Sequence, residues 1–127
     1  MSTRLRRLRH LRVFALAKDW GACVVFYGDT LGLRLRKRDD KAGLALFSLG
    51  GSDILSVERA GAKERRHVAR FVGVAIQVDD VRRAYQDLSA AGVIFDAAPQ
   101  TERWGGTLTH FRDPAGNVLS LVETATP

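Results

Sequence analysis

Residues 107–123 read TLTHFRDPAGNVLSLVE, and this stretch decides the fold. Two apolar runs, 108–111 and 118–122, flank the turn Asp113-Pro114-Ala115-Gly116-Asn117. Asp113 can accept a backbone N–H with its side chain, Pro114 presets φ at the second turn position, and Gly116 supplies the positive φ with which the chain leaves. Strands joined in this way form one edge of a sheet, their side chains alternating between its faces. Ser120 falls on the inward face of the second strand.

Upstream of this hairpin, residues 71–78 (FVGVAIQV) predict a strand. Asp79 or Asp80 caps a helix through Val81, Tyr85 and Leu88 to Ala91, which Gly92 stops. Residues 93–95 predict a short strand, and 97–103 an irregular connection containing Pro99. The first half of the chain has the same order. Residues 11–17 (LRVFALA) are strand-like, Asp19 is placed to cap a helix with Ala22, Val25, Phe26 and Leu31 on one side, and Gly32 ends it. Strands follow at 33–37, 44–49 and 54–58, punctuated by Gly43 and Gly50-Gly51. Asp19 precedes Gly32 by 13 residues, as Asp79 precedes Gly92, and ILSVE at 54–58 is matched by LSLVE at 119–123. A supersecondary unit repeated at about 60 residues predicts a duplicated α+β fold. The predicted organisation is a basic arm (1–9), a first βαβββ module (10–60), a polar linker (61–70) and a second βαβββ module (71–127).

Three motifs now carry a family resemblance. Phe26-Tyr27-Gly28-Asp29-Thr30-Leu31-Gly32-Leu33 resembles the FYxxxLGL signature of the vicinal oxygen chelate superfamily. Val78-Asp79-Asp80-Val81 resembles its second-module helix start, and Trp104-Gly105-Gly106 with Asp113-Pro114-Ala115-Gly116-Asn117 resembles its WG…DPxGN ending. That superfamily includes glyoxalase I, extradiol dioxygenases, fosfomycin-resistance enzymes and bleomycin-binding proteins. The resemblance covers roughly residues 11–123 and implies two βαβββ modules whose mixed sheets curve around a cleft, often completed by a homodimer.

The resemblance also implies a divalent metal, held by up to four side chains from the first and last strands of each module. Such an ion needs imidazole or carboxylate ligands. Counted from the matched motifs, the four positions fall at Arg12, Gly73, Ser56 and Ser120. A guanidinium cannot ligate, glycine has no side chain, and neutral hydroxyls are weak donors, so no metal and no cofactor are expected. A displaced set would have to draw on His10, Glu58 and His110; the alternative is that the two histidines are ordinary strand residues and that Glu58 neutralises an arginine. His67 lies in the linker and is expected to be solvated.

Strand alternation predicts a metal-free cleft lined by Arg12, Phe14, Ser56, Glu58, Gly73, Ala75, Gln77, Ser120 and Val122. Val13, Ala15, Leu55, Val57, Val74, Ile76, Leu119 and Leu121 then pack beneath the helices. Such a lining suits an organic ligand with a few polar handles. Arg12 is the candidate anion holder, since its fork can grip a carboxylate, phosphate or enolate without a metal; the bland alternative is an Arg12–Glu58 ion pair. Trp104 either stacks on a planar ligand or anchors its loop. Trp20, Phe26, Tyr27 and Tyr85 read as core or interface, and Cys23 as a buried, unreactive thiol.

Composition bounds these readings. The net charge of +6 resides largely in Arg4, Arg6, Arg7, Arg9 and Arg12; without them 15 basic side chains face 14 acidic ones. A basic arm on a neutral body is not the spread, aromatic-studded face of a nucleic-acid domain. No apolar run approaches the roughly 20 residues of a membrane span. No apolar segment follows the N-terminal arginines, and the lone Cys23 builds no internal disulfide, so a cytoplasmic protein is expected. Two functional classes follow. One is a metal-independent module that binds a small organic molecule, anionic or aromatic, such as an antibiotic. The other is a lyase, isomerase or dioxygenase of the same superfamily, metal-free with Arg12 as electrophile and Glu58 as base, or using a displaced metal. A third reading makes the basic arm an interaction element.

Overall fold

Alternation along residues 10–15 sets the first sheet. Val13 and Ala15 are buried while His10 and Arg12 are exposed, so one face of this strand enters the core and the other stays open. The computed structural model describes residues 3–5 and 8–124. Arg6 and Arg7 of the predicted arm, and 125–127 at the other end, lie outside the described residues.

The elements are β1 (His10–Ala15), α1 (Ala17–Val25) with a π turn (Phe26–Thr30), β2 (Arg34–Asp39), β3 (Leu44–Ser48), β4 (Ile54–Arg59), β5 (Phe71–Gln77), α2 (Val81–Ala90), β6 (Ile94–Phe95), β7 (Gln100–Thr101), β8 (Thr107–Arg112) and β9 (Val118–Glu123). One sheet has the order β1-β4-β3-β2 and the other β5-β9-β8-β6, with β7 also pairing β8. The first and last strands of each sheet unit run parallel, β1 on β4 and β5 on β9, and the remaining pairs are antiparallel. This is the expected α+β, two-sheet architecture. The second sheet differs in one place: its outer strand is split into β6 and β7. Pro99 lies at the break and has no N–H to donate to a ladder.

The two helices start differently. Asp80 caps α2, accepting Arg83 N–H at 3.0 Å, while Glu123 accepts Val81 N–H at 2.9 Å. Asp19 does not cap α1: the N-cap position is Leu16, and Asp19 lies in the first turn beside Lys18. The apolar face of α1 also departs from expectation. Trp20, Cys23, Val24 and Tyr27 are buried at the spacing of one helical face; of the expected stripe, Phe26 is buried and Leu31 packs on the core, whereas Ala22 and Val25 are exposed. The helix begins at Ala17, two residues before the expected cap.

A single core joins the modules, with Val13, Tyr27, Phe47 and Leu55 of the first contiguous with Val81, Phe111 and Leu119 of the second. The Asp113–Asn117 turn clamps that junction. Asp113 Oδ1 accepts the N–H groups of Ala115 and Asn117, and its Oδ2 accepts from Tyr27 and Asn117. Asn117 also donates to Phe14 O at 2.9 Å and accepts Ala69 N–H at 3.0 Å. Gly116 takes the positive φ required of it, 89°. Residues 61–70 are more ordered than their composition implies. They contain a 3-10 turn (Arg65–His67), Val68 bridges to Phe14, and the half-buried His67 ring lies 5.9 Å from that of Phe14.

Candidate functional site

On the open face of the first sheet, parallel pairing sets Arg12 beside Ser56 and Phe14 beside Glu58. Arg12 Nε donates to Glu58 Oε2 at 2.7 Å and Nη2 to Oε1 at 3.0 Å, a two-pronged contact. Ser56, fully buried, donates its hydroxyl to Glu58 Oε2 at 2.8 Å. The bond from Arg12, helped by that from Ser56, holds the Glu58 carboxyl below its ordinary range despite partial burial. The same bond raises the already high pKa of Arg12. Its guanidinium lies 5.1 Å from the centre of the Phe14 ring. With Nε and Nη2 engaged from the side, Nη1 at the tip is left for another acceptor, and the side chain is 56% exposed.

The second sheet carries a different polar group. His110 and Ser120 are cross-strand partners, and Nδ1 lies 2.7 Å from Oγ. The His110 ring meets Phe71 edge-on at 5.6 Å. Among the described residues no carboxylate bonds to His110, so a nucleophile–base–carboxylate relay is not assembled. Ser120 is 4% exposed, so of the pair only the half-buried His110 reaches the surface. No hydrogen bond, ion pair or ring contact among the described residues links it to Arg12, Ser56 or Glu58.

A groove of about 470 Å³ runs between the start of β1 and the face of β5, lined by Arg9, His10, Asp53, Gly73, Ala75 and Gln77 among others. Gln77 reaches Thr124 Oγ1 at 3.0 Å. The partly buried Val74 and Ile76, expected beneath a helix, also reach this groove. Of the expected cleft residues only Gly73, Ala75 and Gln77 line it: Arg12, Phe14, Ser56 and Glu58 lie elsewhere on the first sheet, Ser120 and Val122 are buried, and Trp104 is outside it. The indole is 63% exposed and lies across Gly106, where an added Cβ would displace the ring. Trp20 is buried and donates to Val57 O, and burial pushes the Cys23 thiol up to about 12.

The sequence pattern of the Glyoxalase/Bleomycin resistance protein/Dioxygenase superfamily matches residues 7–121. The chain belongs to this superfamily. Among relatives, YraH of Bacillus subtilis is 28% identical over 125 residues, covering 90% of this chain and 97% of its own. The antibiotic-binding protein TnmS3 of a Streptomyces species superposes with a TM-score of 0.79 at 22% identity, over 98% of this chain and 100% of TnmS3. The lactoylglutathione lyase of Agrobacterium tumefaciens gives 0.72 at 22% identity over 94% of each chain. At such identities the two superpositions establish the fold.

Against the metal that superfamily membership implies, the donor set does not fit. Arg12 and Ser56 occupy one pair of positions, engaged with Glu58. In the second module register corrects the counted position: Ser120 pairs with Ala75, because four steps along β5 from Phe71 to Ala75 match two steps along β9 from Val118 to Ser120. Gly73, at φ 76°, makes this bulge possible. Neither Ala75 nor Gly73 carries a donor. Among the described residues no three His, Cys, Asp or Glu side chains come together to hold a metal ion, so His10, Glu58 and His110 do not form the displaced set.

Sequence reasoning missed the His110–Ser120 pair, because a strand residue's partner depends on register. It also missed the bulge, for which a glycine inside a strand pattern was the available signal.

Proposed function

We propose that this protein is a metal-independent small-molecule-binding member of its superfamily, taking an organic ligand with an anionic or aromatic group on the open sheet faces. One observation carries the reading: where the first module would present metal ligands, it presents an exposed guanidinium braced by Glu58 and Ser56. Bracing from the side fixes the fork and lowers the entropy cost of engaging an acceptor at its tip. Phe14, beside Arg12, supplies an aromatic contact, and Gln77 and His110 offer polar groups on the second sheet. Trp104 would serve a ligand only from outside the groove.

The enzymatic alternative is less well supported by these contacts. Glu58, with a lowered pKa and both oxygens occupied, is a poor general base near neutral pH. We extend the reading to a homodimer in the cytoplasm: Phe71 and Ile94, 61% and 65% exposed, lie on one register row of the second sheet and would be covered by a partner copy.

The test is calorimetric titration of the purified protein with biphenyl monocarboxylate, before and after chelator treatment, and with divalent metals. Binding that survives chelation and weakens about tenfold in Arg12→Ala supports the reading. Binding that needs a metal, or ignores the substitution, overturns it.

A further inference from the structure

Register extends the open face of the first sheet well past Arg12. One row across the sheet runs Arg12, Ser56, Leu46, Lys37, and the next runs His10, Ile54, Ser48, Arg34. Directly paired residues share a sheet face, so Lys37 and Arg34 face the same side as Arg12. Arg36 is the extra residue of a bulge between Leu35 and Lys37, and its guanidinium reaches Ser48 Oγ at 3.2 Å, which places it on this side too. Arg38 alone of the β2 cations turns to the other face, 5.2 Å from the Trp20 ring.

Of the acids near this face, only Glu58 is in an ion pair among the described residues, and Glu64 also acts electrostatically on Arg12. Glu58 holds Arg12, and Asp39 accepts the Ala42 N–H at 3.0 Å. Among the described residues no ion pair involves Arg34, Arg36 or Lys37. The β2 margin is thus cationic, while at the β1 margin Arg12 is balanced by Glu58 and offers its free Nη1 tip, with Leu46 and Leu44 partly buried between the two. Three strand spacings of about 4.8 Å separate β1 from β2, roughly 14 Å between backbones, and long side chains on both margins shorten the gap between charges.

We infer that this face takes an organic dianion, with one anionic group at Arg12, the other at Arg34, Arg36 and Lys37, and an apolar body over Leu46. The inference rests on the small-molecule reading above and adds a ligand class and a second binding element to it. Cations on an edge strand also discourage edge-to-edge pairing. That role asks only for charge along the edge, whereas here three cations gather on the face that carries Arg12.

The test compares biphenyl dicarboxylate, biphenyl monocarboxylate and neutral biphenyl dimethanol by calorimetry at two salt concentrations, using the full chain. The dicarboxylate should bind about tenfold more tightly than the monocarboxylate, the preference should shrink with salt, and the diol should bind weakest. Arg34→Gln with Lys37→Gln, which keeps the edge polar, should reduce that preference to near unity, whereas Arg12→Ala should weaken both acids. Circular dichroism and light scattering establish that each variant is folded and not newly associated. Equal affinity for the two acids, or a preference that survives the double substitution, overturns the dianion inference and leaves the function standing. Failure of both acids to bind, or indifference to Arg12→Ala, overturns the function and the inference together.

Discussion

Tyr27 donates its hydroxyl to Asp113 Oδ2 at 2.7 Å, across 86 positions of the chain. The bond ties the FYGDTLGL motif to the DPAGN turn. Burial, and then the neighbouring Asp113 carboxyl, push the Tyr27 pKa well above its ordinary value, so the phenol stays a donor throughout the working range.

Tyr27→Phe removes that donor and leaves Asp113 Oδ2 with Asn117 alone in a buried place. We expect a loss of about 1–3 kcal/mol, read from urea unfolding. An unchanged midpoint would mean that the bond adds nothing net to the module junction.

Glu58 has a folded pKa below its ordinary 4.5. Its contribution is therefore present above that value and is lost as pH falls through the lower, folded one. With Arg12 more than half exposed, solvent screening keeps the contribution below about 1 kcal/mol. The stability difference between wild type and Glu58→Gln should be constant near neutrality and shrink on the acid side. A difference independent of pH down to acid unfolding would contradict this.

Cys23 is wholly buried, and burial raises its thiol from 9.0 to about 12. Alkylation by iodoacetamide at neutral pH should be negligible in the folded chain and rapid in urea, as mass spectrometry would record. Because the folded pKa is the higher, this group's contribution is complete below pH 9.0 and declines as pH rises toward 12. Prompt labelling of the folded protein would show the core to be more open than described.

Trp20 is 5% exposed and Trp104 63%. Iodide should quench one emission component strongly and the other weakly, and Trp104→Phe should remove the quenchable one. Since the indole is largely exposed, the same substitution should cost about 0.5 kcal/mol or less in stability. Loss of the protected component instead would reverse the assignment.

Much of the fold was legible because its determinants are local. A turn of Asp-Pro-Ala-Gly-Asn needs a side-chain acceptor and a positive φ within five consecutive residues, and the structure has both. The α2 cap was readable for the same reason down to the pair Asp79 and Asp80, of which Asp80 is the cap. The start of α1 was not: Asp19 is a good cap by type, yet the chain turns helical at Ala17 because strand β1 ends at Ala15 and packing sets the entry. At the site, alternation puts Arg12 on one face of β1 and Ser56 with Glu58 on one face of β4, which allows the Arg12–Glu58 ion pair that the structure has. Trp104 and the His10, Glu58 and His110 set could not be judged without distances.

By itself, then, the sequence determined the two repeated modules, the alternation of their strands and the absence of metal-ligating side chains at the counted positions. Those follow from residue type and short-range periodicity. Only the tertiary structure decided that Tyr27 meets Asp113, that a bulge at Gly73 sets Ala75 rather than Gly73 beside Ser120, and that the β2 cations share a face with Arg12. These are matters of register, set where strands distant in the chain pair, and one extra residue in a strand is enough to change which face a side chain occupies.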